Sequence, residues 1–180
     1  MLRILVFIVA SACLPVCAAQ CYTVDSARGS VSYEVKQAGS PFRGKFRRFG
    51  GEICLANGRA TRVEVWLDPA SVDSGLPEID AALWGGDFFA VNQYPRVVYS
   101  SESVQTRGDA QLAQGMLQMK GKRRNLDVSF RLQDGAGGLS VSGSLMLDRL
   151  NYAIGTGEWS NTAWLSNEVR VDFQAALSGK

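Results

Sequence analysis

An alternation of period two runs through most of this chain and leaves few folds open to it. Val31, Tyr33 and Val35 alternate with Ser32, Glu34 and Lys36, while Val63, Val65 and Leu67 alternate with Arg62, Glu64, Trp66 and Asp68. Leu126, Val128, Phe130 and Leu132 oppose Asp127, Ser129 and Arg131; Leu139, Val141, Leu145 and Leu147 oppose Ser140, Ser142 and Ser144. The last segment is the cleanest, with Val169, Val171, Phe173, Ala175 and Leu177 against Arg170, Asp172 and Gln174. Successive side chains of a strand point to opposite faces, so each segment is expected to be a strand with one apolar face. Asn57-Gly58, Arg107-Gly108-Asp109, Lys122-Arg123-Arg124-Asn125 and Asp134-Gly135-Ala136-Gly137-Gly138 are links suited to hairpins. About eight such strands pair all their edges and bury their apolar faces together by closing into an antiparallel barrel. A two-sheet sandwich is the structural alternative.

One stretch breaks the alternation. Residues 86–101 carry Phe88, Phe89 and Tyr94 in a segment that is neither helix nor clean strand, so these rings are expected to line a cavity or plug the end of a core. Pro95 then sets the entry into a strand in which Val97 and Tyr99 face away from Val98 and Ser100. Just before it, Pro77 suits a first helical position, Ile79, Ala82 and Leu83 share a face, and Gly85-Gly86 stops the turn. The expectation is a short helix at the mouth of a β-container, acting as lid or plug.

The chain of 180 residues suits a single domain, residues 20–180, behind a secretory signal at residues 1–19. That signal reads as Met1-Leu2-Arg3, an apolar run and small residues at Cys17-Ala18-Ala19; lipidation at Cys13 is the alternative. The apolar run is too short to span a bilayer permanently. Its removal leaves Cys21 and Cys54 in an oxidising periplasmic or extracellular space, where a disulfide is expected and two buried free thiols are the alternative.

The chain has no histidine, which removes Ser-His-Asp and Cys-His sites and the usual transition-metal ligand. No phosphate-binding or dinucleotide fingerprint occurs, and no cofactor is expected. Asp80 and Asp87 are the carboxylates that a small hydrolase would use; capping roles fit them better, and no enzyme activity is expected. The basic clusters at residues 43–48 and 120–124 suit either an anionic partner or solvated hairpin ends. A net charge of +2 gives no field for nucleic acid. Trp66, Trp84, Phe88, Phe89, Tyr94, Phe130, Tyr152 and Trp159 exceed what a plug requires, and together they favour a lined cavity. Arg96 and Arg149, each beside an aromatic segment, are candidates to orient a polar head.

A family pattern runs through these pieces. Tyr22-Thr23-Val24-Asp25, Val31-Ser32-Tyr33-Glu34-Val35, Gly44-Lys45-Phe46-Arg47-Arg48-Phe49-Gly50-Gly51-Glu52-Ile53, Asp87-Phe88-Phe89, Tyr94-Pro95-Arg96-Val97, Gly115-Met116-Leu117-Gln118-Met119-Lys120-Gly121 and Arg149-Leu150-Asn151-Tyr152-Ala153-Ile154-Gly155 resemble, in that order, the YceI-like family of bacterial secreted proteins. The resemblance implies an eight-stranded, lipocalin-like antiparallel barrel that binds a polyisoprenoid, an isoprenoid quinone or a similar amphiphile without catalysis. It also implies that Phe88, Phe89 and Tyr94 sit near the ligand entrance, with Tyr152 and Ile154 near the internal wall. Two features depart from the pattern: Lys36 stands where family members often carry histidine, and the cysteine pair is extra. The competing expectation is a barrel filled by its own side chains, serving as an interaction module for a membrane redox partner. Contact with a membrane surface and a homodimer fit either view.

Overall fold

The computed structural model describes residues 19–179. The secretory signal expected at residues 1–19 therefore lies, apart from Ala19, outside the described residues. Strands run β1 (Gln20–Gln37), β2 (Ser40–Phe46), β3 (Phe49–Ala56), β4 (Arg59–Leu67), β5 (Val72–Asp73), then helix α1 (Pro77–Trp84). They continue as β6 (Val97–Arg107), β7 (Ala110–Met119), β8 (Lys122–Gly135), β9 (Gly138–Asp148) and β10 (Leu165–Gly179). Their order in the sheet is β10-β9-β8-β7-β6-β4-β3-β1-β2-β5, and a further β1–β10 pairing closes it.

Every pairing is antiparallel, as the one-faced alternation requires. The long β1 pairs its first residues with β3 and its last with β2, so β2 and β3 lie end to end as one wall. With β5 as a two-residue appendage on β2, the closed barrel has eight walls. Pairing register decides what points inward: Phe49↔Leu67, Gly51↔Val65 and Ile53↔Val63 face the centre, while Gly50↔Trp66 and Glu52↔Glu64 face out. One link differs from the sequence expectation. Lys122, Arg123, Arg124 and Asn125 all belong to β8, and the reversal falls earlier, on Lys120-Gly121, where both residues have positive φ, 46° and 70°, and only the second has glycine's freedom to adopt it.

All of the non-hairpin chain collects at one end of the barrel. Helix α1 opens with Pro77 and carries Glu78 and Asp80 in its first turn, where the helix dipole favours carboxylates. None of its residues is fully buried, so it lies across the barrel end as a cover. The opposite end carries the β3–β4, β6–β7 and β8–β9 turns and Cys21–Cys54, directly paired across β1 and β3 and joined by a disulfide.

Two phenols of the barrel wall have raised pKa values, and one of them, Tyr99, braces three strands. The Tyr99 hydroxyl lies 3.0 Å from the Ala113 carbonyl and 3.2 Å from that of Leu126, joining β6, β7 and β8. Burial pushes its pKa up to about 12 from 10.0, with Asp127 and Glu102 adding repulsion. Tyr33 is pushed up to about 12 by burial and then by Asp80 and Asp73, and its hydroxyl has no hydrogen-bond partner among the described residues. The folded chain keeps these protons where the unfolded chain has lost them. Their contribution is intact below pH 10 and lost as pH rises through 12. The thermal midpoint is expected to fall across that window, and to fall less steeply in Tyr99→Phe, when unfolding is followed by circular dichroism at successive pH values.

Candidate functional site

The inward faces do not fill the barrel. They leave a hollow of about 290 Å³, at the lower end of the range of ligand pockets. Aliphatic and aromatic side chains from all walls line it, and Val31, Val65, Val97, Leu145, Val169 and Val171 stay only partly buried because the space they face is unfilled by protein. Apolar side chains dominate that wall; Arg149 on it is engaged by backbone carbonyls, and the Tyr33 hydroxyl is a polar group there with no partner among the described residues.

The capped end is a stack of rings. Tyr33 packs on Phe46 with centroids 5.6 Å apart, Phe46 meets Phe89 edge-on at 5.9 Å, and Phe88 packs on Trp159 at 5.6 Å. Backbone bonds hold this cap: Phe89 N–H donates to Leu83, Ala90 N–H to Gly85, and Gly155 and Thr156 N–H both donate to the Asp87 carbonyl. Lys120 ties it to the β7–β8 turn, donating to Gly86 O at 2.6 Å and Ala153 O at 2.7 Å. Burial lowers the pKa of that amine, against the pull of the Asp87 carboxylate. The segment that carries Phe88 and Phe89 is thus a plug fastened from three sides.

A second feature lies in the side wall. The β1–β3 ladder ends at Thr23↔Glu52 and the β1–β2 ladder begins at Val31↔Phe46, so residues 24–30 of β1 pair with nothing on that side. There β1 also bulges away from β10, skipping three residues between Asp25 and Gly29. Asp25 fixes the bulge by accepting from Ala27 N–H at 2.9 Å and from Arg28 Nε at 2.8 Å, and the Arg28 guanidinium holds its carboxyl below the usual range. Outside the split runs an open groove lined by Thr23, Ser26, Glu52, Glu64, Arg96 and Ser100 and floored by Gly50 and Gly51. Trp66 lies over Gly50, and the Arg96 guanidinium sits 4.0 Å from the centroid of the Trp66 ring.

A family model described as the YceI-like domain matches residues 22–177. The chain belongs to the YceI-like family. A UPF0312 protein of Vibrio cholerae is 28% identical over 145 residues, which are 74% of this chain and 77% of that one. Burkholderia cenocepacia BcnA superposes with a TM-score of 0.80 at 27% identity, covering 84% of this chain and 98% of its own. A polyisoprenoid binding domain from Saccharophagus degradans superposes at 0.70 over 91% of this chain and all of its own, and at 14% identity it speaks for the fold alone. The barrel and its short helix are thus those of YceI-like proteins.

Within this YceI-like barrel the expected site residues divide. Trp66, Phe88, Phe89, Phe130, Tyr152 and Ile154 all border the hollow. Trp84 and Tyr94 do not: Trp84 is 43% exposed on the outer side of α1, and the Tyr94 ring lies against Gly121 of the β7–β8 turn. The head-group role expected of Arg149 is corrected. The residue is 4% exposed and all five of its guanidinium N–H groups are engaged, with the carbonyls of Ser166, Ile154, Gly155, Trp159 and Leu165 at 2.6–2.9 Å. Burial lowers its pKa, and it serves as the hub joining residues 149–160 to β10. Arg96 remains on the surface.

The basic and acidic clusters are also placed. Arg43 pairs with Glu34, Lys45 and Arg47 with Asp73, and Arg48 with Asp68, so the first cluster is largely neutralised by β1 and by the connection after β4. Asp80 accepts from Ser74 N–H, and Asp87 from the Thr156 hydroxyl, as loop-fixing groups. The sequence reading missed Phe46 and Tyr33 as part of the cap, although both lay on apolar strand faces. It missed the split as well, whose signal was the loss of alternation over Asp25-Ser26-Ala27-Arg28-Gly29.

Proposed function

We propose that this protein carries a long apolar chain of polyisoprenoid type inside its barrel, in an oxidising extracytoplasmic space, and performs no catalysis. The observation that supports this reading is the hollow itself, enclosed by hydrocarbon from all the walls. A dry apolar cavity costs about 24 cal/mol per Å³, so filling this one is worth on the order of 7 kcal/mol before the association cost is subtracted. A barrel filled by its own side chains, as an interaction module would have, does not leave such a space. The polyisoprenoid named for the Saccharophagus degradans domain fits the same wall chemistry.

The Cys21–Cys54 disulfide supports an oxidising compartment, and with it the secretory signal read at residues 1–19. Trp84 and Trp164, 43% and 49% exposed at the capped end, suit contact with a bilayer interface during loading or delivery. Native mass spectrometry of the protein purified from its exporting host tests the reading. A copurifying mass that organic extraction removes, and that an added prenol replaces one to one, is expected. A bare polypeptide mass that no prenol shifts would overturn it.

A further inference from the structure

We propose that the polar head of the carried amphiphile leaves the barrel sideways, through the split between β1 and β3, and rests in the outer groove on Arg96. This rests on the carrier reading and adds the route and the head site.

The argument begins with the wall. A closed barrel has no free strand edge, yet here seven residues of β1, 24–30, lack a partner on the β2–β3 side. The inner hollow and the outer groove meet at this place: Val24, Phe49, Gly50, Val65 and Trp66 border both. Gly50 and Trp66 point outward by register, so the hollow touches them only where the wall is parted. The Trp66 indole lies directly over Gly50, so the passage from the split to Arg96 runs along the face of that ring. The capped end offers no comparable route, being closed by the ring stack and the bonds to Asp87, Gly86 and Ala153.

The groove is built for an oxygen acceptor. Trp66 takes one face of the Arg96 guanidinium and leaves its N–H edges outward, and Arg96 enters no ion pair among the described residues. Glu52 and Glu64 line the same groove and are bridged by Arg62 from outside it. With both carboxylates shared by Arg62, adding Arg96 leaves the groove without surplus positive charge, which favours an uncharged hydroxyl or carbonyl head over a phosphate.

The test uses a farnesyl chain bearing a benzophenone at its hydroxyl end, irradiated with the full protein and mapped by peptide mass spectrometry. Adducts on residues 23–30, on Gly50, on Trp66 or on Arg96 are expected. Arg96→Gln should weaken farnesol binding by roughly tenfold, the loss of a charged hydrogen-bond donor, with the thermal midpoint lowered by no more than a few degrees, because the exposed side chain gives up only its stacking on Trp66. Farnesol should bind at least as tightly as farnesyl phosphate. Adducts on residues 84–94 or 152–159 would overturn the sideways exit while leaving the carrier reading intact. Tighter binding of farnesyl phosphate would overturn the uncharged head. Labelling that free farnesol does not compete would remove the carrier reading together with the route.

Discussion

Arg149→Met is expected to destabilise the barrel by about 4 kcal/mol or more, among the largest effects of any single substitution in the protein. The arginine satisfies five donors with five backbone carbonyls drawn from residues 154–166, and no carboxylate competes for them. Methionine fills the volume and leaves those carbonyls without their donor. Desolvated acceptors cost about 1–3 kcal/mol each when orphaned, and relaxation recovers only part of that sum. Arg149→Lys keeps the charge but offers three donors from one point, so it is expected to recover less than half. At this chain length the methionine variant should lower the thermal midpoint by roughly 8–16 °C, read by circular dichroism. A midpoint shift below about 2 °C combined with weaker ligand binding would instead return Arg149 to the head-group role.

The second large effect concerns the disulfide. It joins a directly opposed pair, Cys21↔Cys54, two rungs from Thr23↔Glu52 where the β1–β3 ladder ends. With the cysteines 33 positions apart in sequence, the loop-entropy model gives about 3–4 kcal/mol of stabilisation. Its position adds a local role, since the four-rung ladder from Gln20 to Thr23 is all that stops the split from running to the end of the barrel. Replacing both cysteines by serine is expected to lower the denaturation free energy by that amount. Amide exchange should quicken first in residues 20–23 and 52–55, ahead of the rest of β3 and β4. Uniform loss of protection across the barrel would show that the bond acts only through the unfolded chain.

How much of this was legible in the residues follows from where the physics is local. Alternation such as Val169 to Leu177 fixes which side faces in, and the hairpin glycines mark most of the turns, so antiparallel one-faced strands could be read directly, while closure as a barrel and not a sandwich rests on the β1–β10 pairing. Pro77 and Gly85 bracketed α1 for the same reason. The role of Arg149 was not local. Its five acceptors come from a loop and a strand up to 17 residues away, and an arginine beside aromatics looks the same in sequence whether it faces a ligand or a carbonyl nest. Trp84 and Trp159 were equally apolar on paper, and only the cover-like placement of α1 sent one outward while Phe88 took the other. The split needed two ladders to end at different rungs, which is a property of pairing. The basic run at residues 43–48 looked free because its partners, Asp68 and Asp73, sit on the following connection.

The central claim is that the barrel's interior accepts hydrocarbon, and calorimetric titration of the delipidated protein with geranylgeraniol at several temperatures tests it most directly. The account predicts saturable one-to-one binding with a negative heat-capacity change on the order of 0.2 kcal/mol/K, the signature of a few hundred Å² of apolar surface leaving water. Heat that never saturates, or saturable binding whose enthalpy does not change with temperature, would contradict it.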